Sequence, residues 1–193
     1  NKTDIHIGYH TNLNYDFEKI KPHMEILKQF KKVRLNFSID DVAERNTYIR
    51  NPSDWNLTIA NLKRFASEYP EFDLIICQTV NAYNFMYIEE LSEYLNDNDI
   101  NVPLYYNHVH APSYLTAFVI PLETRIQKIN RIEGKLSPSL YASLRQYSSG
   151  ESEKILQDKF LHFTKLLDSS RNEELQITFP ELFRVMNSIT RQW

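Results

Sequence analysis

The sequence predicts an α/β protein: a partial parallel (β/α) barrel of about four βα units, followed by a C-terminal helical extension. Short strand-like segments alternate with longer amphipathic ones through the first part of the chain, and after Pro112 only amphipathic helical segments remain. A third observation is the stretch Val33 to Asp40, VRLNFSID. Val33, Leu35, Phe37 and Ile39 are apolar, whereas Arg34, Asn36, Ser38 and Asp40 are polar. A period of two sends these sets to opposite faces of a strand. A polar inner face suits a barrel strand on which a site is built.

Taken in order, strands are expected at Asp4 to His10, Val33 to Asp40, Phe72 to Val80 and Pro103 to Val109. The first linker, DFEKIKPHMEILKQFKK, carries Phe17, Ile20, Met24, Leu27 and Phe30 at spacings of three and four, so one helical face is apolar. Pro22 requires that the helix start close to it or bend there. The second linker has Ser53 or Asp54 as candidate N-cap and aligns Trp55, Ile59, Leu62 and Phe65. The third, FMYIEELSEYLND, groups Ile88, Leu91 and Leu95. Beyond a boundary near Pro121, PLETRIQKINRIEGK, SEKILQDKFLHFTKLLDSSR and PELFRVMNSITRQW read as helices separated by loop-prone SPS and SSGES. The expected division is residues 1–120 for the partial barrel and 121–193 for the helical extension. Four βα units make half of an eight-stranded barrel, or a small open sheet.

Composition narrows the function classes. The 22 basic and 25 acidic residues are mixed along the chain, without the basic run that neutralises phosphates, so nucleic acid is not the expected partner. No apolar run approaches the roughly 20 residues of a membrane span, and NKTDIHIGYH lacks signal-peptide regions, so a cytoplasmic location is expected. Only 3 glycines are present, and neither a GxGxxG nor a GxxxxGK[ST] loop can be written. The one cysteine, Cys77, lies in the apolar run FDLIICQTV and reads as a buried thiol, with no internal disulfide possible. The chain begins at Asn1 without methionine and reaches a strand almost at once, which suggests a processed protein or a fragment.

Ligands of parallel α/β folds bind beyond the carboxyl ends of the strands. Those ends carry His10, Thr11 and Asn12; Ser38 and Asp40; Thr79, Asn81 and Asn84; and Asn107, His108 and His110. Ser38, Asp40 and Arg50 suit a zwitterionic ligand, because an arginine fork pairs a carboxylate, a serine hydroxyl donates, and an aspartate accepts from hydroxyls or an ammonium. The plainer expectation is that Asp40 or Asp41 caps the next turn and Arg50 pairs with a neighbouring acid. The histidines support a rival reading: His108 and His110, with His6 and His10 on the first strand and Asp40 as a fourth ligand, would make a zinc-dependent hydrolase. Tyr105, Tyr106 and Tyr114 could stack a ring or pack as core. A non-catalytic interaction module is the third class, with Phe160, Phe163, Leu166 and Leu167 on the helical tail and an exposed first strand as its surfaces.

The runs YHTNLN, LNFSIDD with RNTYIR and NPSDW, QTVNAYN and NHVHAP, in this order, resemble the later part of the catalytic domain of radical S-adenosylmethionine (SAM) enzymes, closest to the SPASM/twitch group. The tail KFLHFTKLLDSSR with FPEL is similar to the helical tail of twitch-type proteins. By this resemblance the fold is a partial (β/α)6 barrel, and the family cleaves SAM at a [4Fe-4S] cluster to abstract hydrogen, often from a peptide. The resemblance implies that Ser38, Asp40 and Arg50 contact SAM, with Thr11, Asn12 and Asn84 nearby. Arg50 stands twelve residues after Ser38, as in the family pattern. The family's CxxxCxxC and GGEP-like motifs are absent here, and Asp41 stands where a glycine usually follows Ser-Ile-Asp. One cysteine cannot supply three thiolates, so this chain does not ligate the cluster. The implied partners are a peptide or small-molecule substrate, and a partner chain or missing N-terminal segment at the first strand.

Overall fold

The computed structural model describes residues 4–190. Its four strands, β1 (His6–Thr11), β2 (Lys32–Ser38), β3 (Asp73–Val80) and β4 (Leu104–His108), form one parallel sheet in the order β1-β2-β3-β4. Register pairs Tyr9 with Leu35, Thr11 with Phe37, Asn36 with Ile75 and Ser38 with Cys77. The sheet is open and not closed as a barrel. Closure needs strand number, tilt and shear to agree, and four strands cannot satisfy that. β1 therefore stands at an edge, paired with β2 alone among the described residues.

Contacts divide the chain into two compact units. The first comprises Asn1–Gln78 with Ser92–Tyr105, and the second Thr79–Leu91 with Tyr106–Trp193. In the first, α1 (Phe17–Leu27), α2 (Ala43–Ile49) and α3 (Trp55–Glu68) follow their strands. The apolar set of β2 is buried: Val33, Leu35 and Phe37 are all at 3% exposure or less. Phe65 of α3 packs on Phe37 with ring centroids 5.2 Å apart, which places α3 on this face. The other face stays open around Arg34, Tyr105 and His10, while Asn36 and Cys77 in its middle are buried by their neighbours. Asp54 caps α3 by accepting from the Leu57 N–H at 3.1 Å, and Pro22 is accommodated inside α1.

In the second unit the helices are α5 (Leu122–Arg131), α6 (Pro138–Leu144), α7 (Lys154–Arg171), α8 (Leu175–Thr178) and α9 (Pro180–Thr190). Between β3 and β4 a 3₁₀ turn at Phe85–Tyr87 precedes α4 (Glu90–Asp97). Ile88, Leu91 and Leu95 are buried, as their spacing requires. Pro121 is the N-cap of α5. The SPS stretch is a helix start, not a loop: Ser137 caps α6 and Pro138 occupies its first turn, where a missing N–H costs nothing. Phe160 is fully buried, whereas Leu166 on the same helix is 56% exposed. No described helix is long and apolar enough to cross a membrane.

Candidate functional site

β2 ends at Ser38, two residues short of the expected limit, because the main chain turns at Asp40. There the Asp40 N–H donates to the Asn46 side-chain oxygen at 3.0 Å, and Gln78 donates its amide to the Asp40 carbonyl at 2.9 Å. Asp41 Oδ1 accepts from the Val42 N–H at 2.8 Å and from Arg45 Nε at 2.9 Å. Asp41 is not among the residues with positive φ; that conformation falls on Ala43, at 50°. The aspartate in place of glycine is therefore unstrained, and its carboxylate braces the turn.

α2 then carries the chain to Arg50, its C-cap, whose N–H donates to the Asn46 carbonyl at 2.9 Å. Arg50 Nε returns to within 2.9 Å of Asp40 Oδ2. Asp40 is 4% exposed, and the Arg50 side chain keeps 24% of its surface. The contact is an ion pair without hydrogen-bond alignment at Nε, which has no hydrogen-bond partner, and Gln78 Oε1 is likewise buried without one. Arg50 Nε, held against the Asp40 carboxylate by charge, thus lacks an aligned hydrogen bond, and the buried Gln78 Oε1 at the same strand end has none either. Such atoms carry a desolvation penalty that a polar ligand or water would relieve. Ser38 is half-buried at the head of this turn.

The other expected residues serve local structure. Thr11 Oγ1 accepts from the Leu13 N–H at 3.1 Å, and Asn12 Oδ1 accepts from the Asn14 N–H at 3.1 Å. Thr11 pairs in register with Phe37, so its side chain belongs to the helix-covered face and not to that of Ser38. It lines a 410 Å³ cavity with Tyr9, Tyr15, Ile20, Met24 and Leu27, and burial raises the Tyr15 pKa there. Asn84 is fully buried in the second unit. Its side chain accepts from the Asn81 N–H and donates to the Thr79 carbonyl, both at 2.9 Å. On the open face, Arg34 donates to Asp73 at 2.7 Å, holding that carboxyl below its ordinary pKa, and Asn36 approaches His10 Nε2 at 3.5 Å.

No protein-family model matches this chain, and no curated protein or solved structure matches it either. The site therefore stands on its geometry. Among the described residues no group of three or more His, Cys, Asp or Glu could hold a metal ion. The zinc ligand set written from His6, His10, His108, His110 and Asp40 finds no such group; His108 instead turns Nδ1 to the Tyr147 hydroxyl at 3.1 Å. Of the tyrosines, Tyr106 is buried with its hydroxyl on the Ile88 carbonyl, Tyr114 packs against Phe163, and Tyr105 is 40% exposed. Asn46 and Gln78, which hold the Asp40 turn, were not singled out from the sequence. Asn46 had a usable signal, since asparagine a few residues past a strand end commonly bonds back to the main chain. Gln78 had none, because its role depends on β2–β3 register.

Proposed function

We propose that this chain is the C-terminal part of a twitch-type radical SAM protein, in which the carboxyl end of β2 contacts SAM and the open face of the sheet meets a peptide-class substrate. In this reading the four-stranded sheet is an arc of a larger barrel. The observation that carries it is the Asp40–Arg50 ion pair, partly open to solvent through Arg50, in which Arg50 Nε has no aligned hydrogen bond and the neighbouring Gln78 Oε1 has none. Those residue types fit the ligand. Arg50 would pair the SAM carboxylate, the Ser38 hydroxyl would donate to the same group, and Asp40 would accept from ribose hydroxyls or the ammonium. Bound at a reduced cluster, SAM supplies an adenosyl radical for hydrogen abstraction. With Cys77 as the chain's one cysteine, the cluster ligands must come from elsewhere, and this chain alone does not cleave SAM.

Calorimetric titration of the chain with SAM tests the assignment. Arg50→Ala removes charge-assisted hydrogen bonds worth about 1.5–3 kcal/mol, so affinity should fall roughly 10- to 100-fold. Equal affinity in Arg50→Ala and the parent chain would exclude the contact. A second reading, a non-catalytic interaction module, is favoured by one separate observation. The edge strand β1 exposes Tyr9 at 52% beside the 410 Å³ cavity, and an unpaired edge attracts another strand.

A further inference from the structure

His108 ends β4, and the segment after α6 lies against it. The Tyr147 hydroxyl stands 3.1 Å from His108 Nδ1, and the two rings are 5.6 Å apart. Tyr147 is 1% exposed, so its hydroxyl cannot turn to water and must find its acceptor inside the protein. A neutral imidazole protonated at Nε2 presents Nδ1 as that acceptor. Phe85 and Phe118 hold the Tyr147 ring in place, at 5.3 and 4.9 Å between centroids. Burial raises the Tyr147 pKa to about 12, and burial, then the neighbouring His110, lowers that of His108. Both partners are therefore neutral near pH 7.

The same segment is tied a second time. Arg125, fully buried, donates through its guanidinium to the carbonyls of Tyr147 at 2.6 Å, Ser149 at 2.9 Å and Gly150, and through Nε to that of Ile120 at 2.8 Å. Arginine does not titrate in the accessible range, so this tie is permanent. The tie to His108 is not. We propose that residues 145–150 form an acid-released strap, closed on the end of β4 while His108 is neutral and loosened when His108 takes up a proton.

Protonation turns Nδ1 from acceptor to donor. The Tyr147 oxygen can then accept, but its own hydrogen faces a buried environment with its acceptor lost. The titratable and charged groups around the pair lie on the neighbouring elements, and the one that acts on His108 itself disfavours its charge. His110 follows β4, and Arg125 of α5 acts on Tyr147, while the carboxylate of Glu151 acts on Arg125. With the folded-state pKa of His108 below its ordinary value, closure is complete above the unfolded histidine range. It weakens as pH falls from there through the folded value.

Hydrogen exchange of the whole chain, corrected for intrinsic rates, tests this at about pH 7.5 and about pH 5, on either side of the histidine range. The proposal expects protection of residues 145–151 to fall several-fold at the lower pH while Leu35–Phe37 in β2 keeps its protection. Asparagine places an acceptor where Nδ1 stands and does not titrate, so His108→Asn should keep the strap closed at both values. Tyr147→Phe should leave it equally loosened at both. Unchanged protection in the unmodified chain would overturn the strap, whatever the variants do. So would a pH response in His108→Asn equal to that of the parent.

Discussion

Glu89 and Lys128 form a hydrogen-bonded ion pair in the second unit, with 8% and 1% of their side-chain surfaces exposed. Burial outweighs the attraction of Glu89 and draws the Lys128 pKa below the ordinary lysine value. A pair of this kind adds little net stability, yet breaking it leaves one charge stranded. Lys128→Met alone should therefore cost about 3–5 kcal/mol in urea unfolding, and adding Glu89→Leu should recover most of it. A double variant as unstable as the single one would show that the pair is needed for more than charge balance. Nothing in the sequence marks Lys128 as buried, since it sits among the solvated charges of QKINRIEGK and is hidden by tertiary packing. Asp40, Asp41 and Arg50 were more legible. Both plain expectations hold, because Asp41 braces the turn and Arg50 pairs with Asp40. The ligand contact proposed for Asp40 and Arg50 rests on Arg50 and Gln78 atoms that lack hydrogen-bond partners, which only the fold reveals.

At the scale of elements, local chemistry wrote most of the plan. The four strands appear where alternation and apolar runs place them, with ends shifted by one or two residues. The shifts have causes that lie outside each strand, such as the Asn46 side chain that takes the Asp40 N–H out of the ladder. Three helices were not expected, the short α2 and α6 and the single turn of α8. α2 is seven residues long, and it lies in AERNTYI, whose polar and β-branched residues give little helical signal. α6 was masked by a Ser-Pro-Ser run that reads equally as loop or as helix start. α3 is the opposite case, because Asp54 both caps the helix and is fixed by Asn14, whose side-chain oxygen accepts from the Asp54 N–H at 3.2 Å. Asp54→Ala should cost about 1 kcal/mol through the lost cap. Asn14→Ala should cost a similar amount if the joint matters, since Asn14 also donates to the Pro52 carbonyl at 2.9 Å. Unfolding midpoints unchanged in both variants would remove the capping account.

The whole molecule poses a different problem. Parallel sheets are ordinarily covered on both faces, and this one buries Leu35, Phe37 and Ile76 on one side while leaving Arg34 and Tyr105 exposed on the other. The sequence announced that asymmetry through the strict alternation of β2, but alternation is silent on whether a sheet closes. Closure depends on how many strands join, and the consequence here is the edge at β1, where half of the main-chain groups point away from β2. Ile5 and Tyr9, 45% and 52% exposed, add apolar surface to that edge. A lone chain should therefore associate through β1 as its concentration rises. Tyr9 pairs with Leu35 on the helix-covered side but stays 52% exposed at the strand edge, and lysine there opposes such pairing by charge. Tyr9→Lys should move the onset of association, read by light scattering, several-fold higher in concentration and leave the thermal midpoint within a few degrees of the parent. The same onset in both proteins would mean that β1 is not the surface through which copies meet, and the interaction-module reading would lose its footing with it.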